Sequence, residues 1–194
     1  MKIICIGDSL TYGYGVGYGV CWVDLLKELS GTPCLNFGVN GDTSGYMLDR
    51  ATRKIIPEYV EPDNIVVIMG GANDVLTYGA NDNDVNNIIR IAKASKTKGA
   101  IPIVGIQPGF FKSLYPFYGP LSLEKLNENF NSFADSLILE CKKREIAFID
   151  LRDIFQNHSN LFSDGVHPTN VGHKLIADEL LKTILKFVDT ISAK

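Results

Sequence analysis

A serine, a histidine and an aspartate that could together carry out acyl transfer occur at widely separated points of the chain. Ser9 directly follows an apolar run, in the segment Gly7-Asp8-Ser9-Leu10. A serine hydroxyl becomes a nucleophile when a neighbouring base takes its proton, and histidine is the usual base near neutral pH. Taken alone, this segment favours a turn or helix-capping serine. A phosphate-binding loop is not indicated, because the glycine and lysine spacing of such loops is missing.

His167 is the strongest candidate for the base. Pro168 disfavours helical geometry at His167, so the imidazole is predicted at the end of a loop, just before a helix that Thr169 or Asn170 could cap. Asp164, three residues earlier, could accept a hydrogen bond from the ring and fix its tautomer. A solvated aspartate beside a surface histidine explains the pair equally well. The remaining candidates are weaker: His158 in a polar loop, His173 within a predicted helix, and Asp150 as a competing carboxylate.

Three hydrogen-bond donors could stabilise an oxyanion near Ser9. They are the main-chain N–H of Ser9, the N–H of Gly41 in the segment NGDTS, and the side-chain amide of Asn73 in the segment GGANDV. Glycine allows close approach of the backbone to a ligand. An ordinary turn glycine and a turn or capping asparagine remain alternatives, and Asp74 could fill the capping role instead.

Alternating apolar runs and amphipathic stretches predict how these residues are positioned. The predicted strands are 2–7, 33–38, 65–70, 101–106 and 146–150, and the predicted helices are 21–30, 44–56, 82–98, 122–144 and 170–188. Continuous apolar strands that alternate with helices indicate an α/β fold with a parallel, flavodoxin-like sheet. The segments after the first three strands should therefore meet at one edge of the sheet, where ligands bind.

Length and composition set the broad class. The 194 residues are 45% hydrophobic with a net charge of −3, which predicts a single globular domain over 1–194 and no nucleic-acid partner. The four cysteines form no CxxC pair, so zinc and redox motifs are unsupported. No apolar run reaches membrane-spanning length, and the first strand begins near Met1. These features predict a cytoplasmic protein without a stable membrane anchor, whose oligomeric state is open.

Four short blocks, read together, resemble one known family. They are Gly7-Asp8-Ser9-Leu10, Gly41 within NGDTS, Gly71-Ala72-Asn73-Asp74 and Asp164-Gly165-Val166-His167, in this order along most of the chain. The chain is identified by them as similar to the GDSL-type, or SGNH, hydrolases.

This resemblance implies a three-layer α/β/α sandwich and an esterase, lipase, thioesterase or carbohydrate acetylesterase that needs no metal or cofactor. It also implies that Ser9 is the nucleophile, His167 the base and Asp164 its orienting partner. The oxyanion hole would consist of Ser9, Gly41 and Asn73.

The substrate is predicted less sharply than the reaction. The segment 107–122 is rich in aromatic residues that could line an acyl pocket, stack on a sugar or simply pack on the core. The candidate substrate contacts are Asp8, Leu10, Phe110, Phe111 and Tyr115.

A short-chain acyl ester, a lysophospholipid or a thioester is expected, with an O-acetylated carbohydrate as the alternative. A non-catalytic anion- or sugar-binding module and a metal-dependent hydrolase are rival classes. A binding module would not need a nucleophile with a matched base. A metal-dependent hydrolase would need histidines and carboxylates at metal-ligand spacing, and the sequence shows no such cluster.

Overall fold

A five-stranded parallel sheet forms the centre of the protein in a computed structural model, which describes residues 1–111 and 122–192. The strands are β1 (Ile3–Gly7), β2 (Cys34–Gly38), β3 (Ile65–Met69), β4 (Ile101–Ile106) and β5 (Ala147–Asp150), in the order β2-β1-β3-β4-β5. Gly7 at the end of β1 is in register with Gly38 on one side and Met69 on the other. The segments that follow β1, β2 and β3 therefore leave the sheet side by side. The predicted flavodoxin-like order is confirmed.

Helices cover both faces of the sheet. The helices are α1 (Ser9–Tyr12), α2 (Trp22–Ser30), α3 (Ser44–Arg50), α4 (Ile56–Tyr59), α5 (Ala72–Tyr78), α6 (Asp82–Thr97), α7 (Leu123–Lys143), α8 (Leu151–Phe155) and α9 (Asn170–Ser192). A π-helical turn, Ala51–Ile55, joins α3 to α4, and a 3₁₀ turn spans Ser159–Leu161. Helices α3 to α7 pack on one face, and α2, α8 and α9 pack on the other. The predicted three-layer α/β/α sandwich is thus confirmed.

The alternation of side chains along each strand explains why the strands are apolar throughout. Ile4 and Ile6 of β1 lie in the core under α3 to α7, whereas Ile3 and Cys5 lie in the core under α2, α8 and α9. All four are at most 1% exposed. A strand that is buried on both faces has no polar side, so its sequence lacks a polar–apolar period.

The helix boundaries differ from the prediction in two ways. The single helix predicted over 44–56 is divided by the π-helical turn Ala51–Ile55. In addition, the short helices α1, α5 and α8 were not predicted. These helices have between four and seven residues, too few for a clear 3.6-residue period.

None of the helices in the described part of the chain combines the length and apolar character that a membrane span requires.

Candidate active site

Ser9 lies at the junction of the first strand and the first helix. It follows β1 as the first residue of α1, and the carboxylate of Asp8 caps this helix by accepting from the N–H of Leu10 at 3.0 Å. The Ser9 residue is only 6% exposed. Its Oγ lies 2.9 Å from Nε2 of His167, a residue 158 positions away in the sequence.

The His167 ring is held on its other side by Asp164. Oδ2 of Asp164 lies 2.6 Å from Nδ1 of His167, and Oδ1 accepts from the main-chain N–H groups of Val166 and His167. Because an ionised carboxylate only accepts, Nδ1 carries the hydrogen of the neutral ring, and Nε2 is free to accept from Ser9. Partial burial raises the pKa of Asp164, but hydrogen bonds from the ring and main chain outweigh it, so the net pKa is lowered.

The competing carboxylate, Asp150, has a different partner. It accepts from the guanidinium of Arg152 at distances between 2.7 and 3.2 Å and from the main-chain N–H of Arg152 at 3.1 Å. Of the two candidate carboxylates, the structure therefore brings Asp164 to His167 and leaves Asp150 at the start of α8.

Gly41 lies in a tight turn that leaves its N–H unused. The turn spans residues 39–42 and is closed by a hydrogen bond from the N–H of Asp42 to the carbonyl of Val39 at 3.2 Å. Gly41 has φ of +77°, which suits the third position of a type II turn and favours glycine there. Its N–H takes no part in closing the turn. The residue is exposed, so a substrate oxygen could reach it.

Asn73 is placed beside this turn by the first turn of α5. Its Nδ2 donates to the main-chain oxygen of Asp42 at 2.8 Å. A primary amide nitrogen carries two hydrogens, so a second one remains for a substrate oxygen. The chain enters α5 through Gly71, with φ of 118° and the Phe133 ring only 2.3 Å from where a Cβ would lie. A side chain at Gly71 would be strained in this backbone conformation and would collide with the Phe133 ring, so either that ring or the start of α5 would have to shift.

Three further residues contact the site but were not found from the sequence. Gln107 donates to the buried carboxylate of Asp8 at 2.9 Å and accepts from the N–H of Ala72 at 2.9 Å. Burial raises the pKa of Asp8 to about 7. The ring of Tyr14 lies 4.5 Å from that of His167, centroid to centroid. Arg50 pairs with Asp42. Of these three residues, Gln107 is the one whose position in the sequence could have indicated the site, because it directly follows β4 at the same edge of the sheet.

The candidate substrate contacts are not brought together as a group. Asp8, Leu10 and Phe110 are at most 3% exposed, and Phe110 packs edge-on against Phe130 in the core. Phe111 stacks on Phe162 at 4.1 Å, and Phe110 and Phe111 both line a cavity of about 550 Å³. The burial of Phe110 and its contact with Phe130 agree with the core-packing alternative. Tyr115 lies outside the described residues.

The other two histidines have different surroundings and no hydrogen bond to Ser9 or His167. His158 is exposed before the 3₁₀ turn. His173 is wholly buried in α9, where its Nδ1 accepts from the main-chain N–H of Trp22 at 3.2 Å. Burial, followed by the charge of His167, lowers the pKa of His173 to about 4. His173 is therefore neutral at physiological pH and connects α9 to α2.

Within residues 1–111 and 122–192, no group of three or more His, Cys, Asp or Glu is arranged to hold a metal ion. The polar groups at the site are a hydroxyl, an imidazole, a carboxylate and amide donors. These are the groups that nucleophilic acyl transfer uses.

Comparison with known proteins identifies the family. Residues 5–175 match the GDSL-like lipase/acylhydrolase family. The chain belongs to this family. It is 29% identical over 170 residues to the isoamyl acetate-hydrolyzing esterase of Saccharomyces cerevisiae, with 79% of this chain and 69% of the relative covered. It is 25% identical to thioesterase 1/protease 1/lysophospholipase L1 of Escherichia coli, with 96% of this chain and 85% of the relative covered.

The fold agrees with solved structures of the same family. A lipolytic protein of the G-D-S-L family from Veillonella parvula superimposes with a TM-score of 0.78 at 24% identity, over 94% of this chain and 97% of the other. Membership in the GDSL-like family and an enzyme of the ester hydrolase class, both predicted from the sequence, are confirmed.

Proposed function

We propose that the protein hydrolyses carboxylic esters through an acyl-enzyme formed on Ser9. The observation that carries this proposal is the continuous chain of hydrogen bonds from Ser9 Oγ to His167 Nε2 at 2.9 Å and from His167 Nδ1 to Asp164 at 2.6 Å. This arrangement matches a nucleophile with a correctly oriented base. A binding module has no need of it.

The reaction proceeds in two steps. As Ser9 Oγ attacks the ester carbonyl carbon, Nε2 of His167 takes the hydroxyl proton, and Asp164 stabilises the imidazolium that forms. The carbon–oxygen bond to the alcohol then breaks, and the alcohol leaves with the proton from His167. In the second step His167 takes a proton from water, the hydroxide attacks the acyl-enzyme, and the acid leaves as Ser9 regains its proton.

The negative charge that develops on the carbonyl oxygen is assigned to three donors. The N–H of Ser9 lies in the first turn of α1, where main-chain N–H groups have no acceptor within the helix. The N–H of Gly41 is unused by its turn, and the amide of Asn73 has a second hydrogen. Donors fixed in advance in this way stabilise the transition state without reorganising.

A small ester with a short acyl chain is the substrate class that we propose. The yeast relative is named for the hydrolysis of isoamyl acetate, and the Escherichia coli relative is named as a thioesterase and lysophospholipase. The acetate ester in the name of the yeast relative supports the short acyl chain. Cytoplasmic location remains a prediction, supported by the free thiols of all four cysteines.

Hydrolysis of nitrophenyl esters with acyl chains of graded length tests the proposal. The wild-type protein should prefer short chains and be insensitive to a chelator, whereas Ser9→Ala should lose activity and keep its fold. The control is Ser159→Ala, an exposed serine in the 3₁₀ turn, which should retain activity. A serine-directed phosphonate should label Ser9. Full activity of Ser9→Ala, or loss of activity with chelator, would overturn the mechanism.

A further inference from the structure

Arg50, the last residue of α3, places its guanidinium across the ends of two strands. Nε and Nη2 lie 2.7 and 2.6 Å from Oδ2 of Asp42. Nη1 donates to the main-chain oxygen of Phe37 in β2 at 3.2 Å, and Nη2 donates to that of Gly7 in β1 at 3.3 Å. The guanidinium thus joins the turn that contains Gly41 to the strand that leads into Ser9.

Asp42 connects Arg50 to Asn73. Its side chain is 11% exposed and pairs with Arg50, while its main-chain oxygen accepts from Nδ2 of Asn73 at 2.8 Å. Its main-chain N–H closes the turn at Gly41. The two proposed oxyanion donors outside α1 are therefore positioned by one residue, Asp42, and Arg50 fixes the side chain of that residue.

The far end of the same loop has a separate anchor. The carboxylate of Asp74 accepts from the N–H of Ser44 at 2.9 and 3.0 Å and from its hydroxyl at 2.7 Å. Ser44 is the first residue of α3, so this contact fixes where the loop ends. It does not involve the side chain of Asp42, which pairs with Arg50. The two anchors have different roles, because Arg50 and not Asp74 is hydrogen-bonded to the side chain of Asp42, whose main-chain oxygen accepts from Asn73.

We infer that Arg50 is a positioning residue for the oxyanion hole. By holding Asp42, it sets the direction of the Asn73 amide relative to Ser9. The inference rests on the proposed acyl-transfer function. Arginine is required because its planar fork donates in several fixed directions at once, whereas a lysine ammonium could satisfy Asp42 without also reaching both strand ends.

The test measures kcat, KM and melting temperature of Arg50→Lys and Arg50→Met with a short-chain nitrophenyl ester. Removal of one oxyanion donor lowers kcat about 10²–10³-fold, so misalignment should lower kcat about 10–100-fold with little change in KM. The control is Arg53→Met. Arg53, in the π-helical turn, forms an exposed ion pair with Asp49, so kcat should stay at the wild-type value.

A double-mutant cycle separates positioning from general stabilisation. If Arg50 acts through Asn73, then Arg50→Lys should lower kcat much less in the Asn73→Ala background than in the wild type. Added guanidinium at low concentration should restore part of the kcat of Arg50→Met. Asp42→Asn weakens the same ion pair by changing its acidic partner, so it should also lower kcat. This variant allows the measurement even where Arg50→Met folds poorly.

Two results would overturn the inference. One is wild-type kcat per folded molecule in Arg50→Lys and Asp42→Asn, and the other is kcat losses from Arg50→Lys and Asn73→Ala that multiply. Either result with an inactive Ser9→Ala leaves the acyl-enzyme mechanism standing. An active Ser9→Ala would instead remove the proposed function itself.

Discussion

Replacement of His173 by asparagine should change how the stability of the protein depends on pH. His173 is fully buried, and its Nδ1 accepts from the main-chain N–H of Trp22. Protonation would add a hydrogen to Nδ1, and this hydrogen would face the N–H of Trp22. It would also place a positive charge inside the core, where burial disfavours charge. Burial and then the charge of His167 lower the pKa from 6.5 to about 4, whereas the unfolded chain keeps the ordinary value.

The size of the effect follows from proton linkage. Between the two pKa values the unfolded state binds the proton and the native state does not, so the free energy of unfolding falls as pH falls. A pKa lowered from 6.5 to about 4 corresponds to a loss of about 2 kcal/mol between about pH 7.5 and pH 5. The loss should be complete only below about pH 4.

Asp8 contributes with the opposite sign. Its pKa is raised from 3.8 to about 7, so its stabilising contribution is present at low pH and is lost as pH rises through about 7. In the wild-type protein the two buried groups therefore oppose each other between about pH 4 and 6.5, where both pKa windows overlap. Because Asp8 is present in both proteins, its contribution cancels when His173→Asn is compared with the wild type.

Urea denaturation followed by circular dichroism at several pH values provides the measurement. His173→Asn should be less stable than the wild type at about pH 7.5, because it leaves a cavity, and should recover about 2 kcal/mol relative to it by pH 5. His158→Asn is the matched control, because His158 is exposed. Parallel stability curves for His173→Asn and the wild type across this range would refute the reasoning.

Two further predictions concern the catalytic groups. Asp164→Asn should lower kcat at least about 10²-fold because the His167 ring loses its acceptor, whereas Asp150→Asn should lower the melting temperature and leave kcat per folded molecule nearly unchanged; the opposite pattern of kinetic losses would assign the orienting role to Asp150. Asn73→Ala should lower kcat about 10²–10³-fold with little change in KM, and Asn73→Asp should be at least as damaging because it sets a negative charge against the oxyanion. A stable Asn73→Asp protein with near-normal kcat would exclude the oxyanion role.

The sheet was predictable because burial on both faces makes each strand a continuous apolar run. Every predicted strand boundary lies within one residue of the observed one. The approach of Ser9 to His167 followed from two local signals: the polar residue after β1, and Pro168, which keeps His167 out of the last helix. Thr169 caps that helix as one of the two expected residues, its hydroxyl accepting from Gly172 at 3.4 Å.

The role of Arg50 could not be read from the sequence. An arginine in an amphipathic stretch has the same pattern whether it faces solvent or the end of the sheet. Its direction depends on the rotation of α3 about its axis, and a π-helical turn follows at once, which no periodicity of apolar residues marks. Gln107 was missed for a related reason, because its two partners, Asp8 and Ala72, become neighbours only when the sheet has formed.

Because the mechanism needs the hydrogen bond between Ser9 and His167, we expect activity to appear late in folding. The two partners of this bond are separated by 158 residues, and His167 directly precedes the loop into α9, which packs on α2 at the opposite end of the sequence. Contacts between distant parts of a chain form slowly, because the intervening segment must first become ordered. Turnover therefore requires the segment before α9 to be docked as well as the sheet to be formed. Local unfolding that begins at α9 is expected to stop turnover while most of the secondary structure persists.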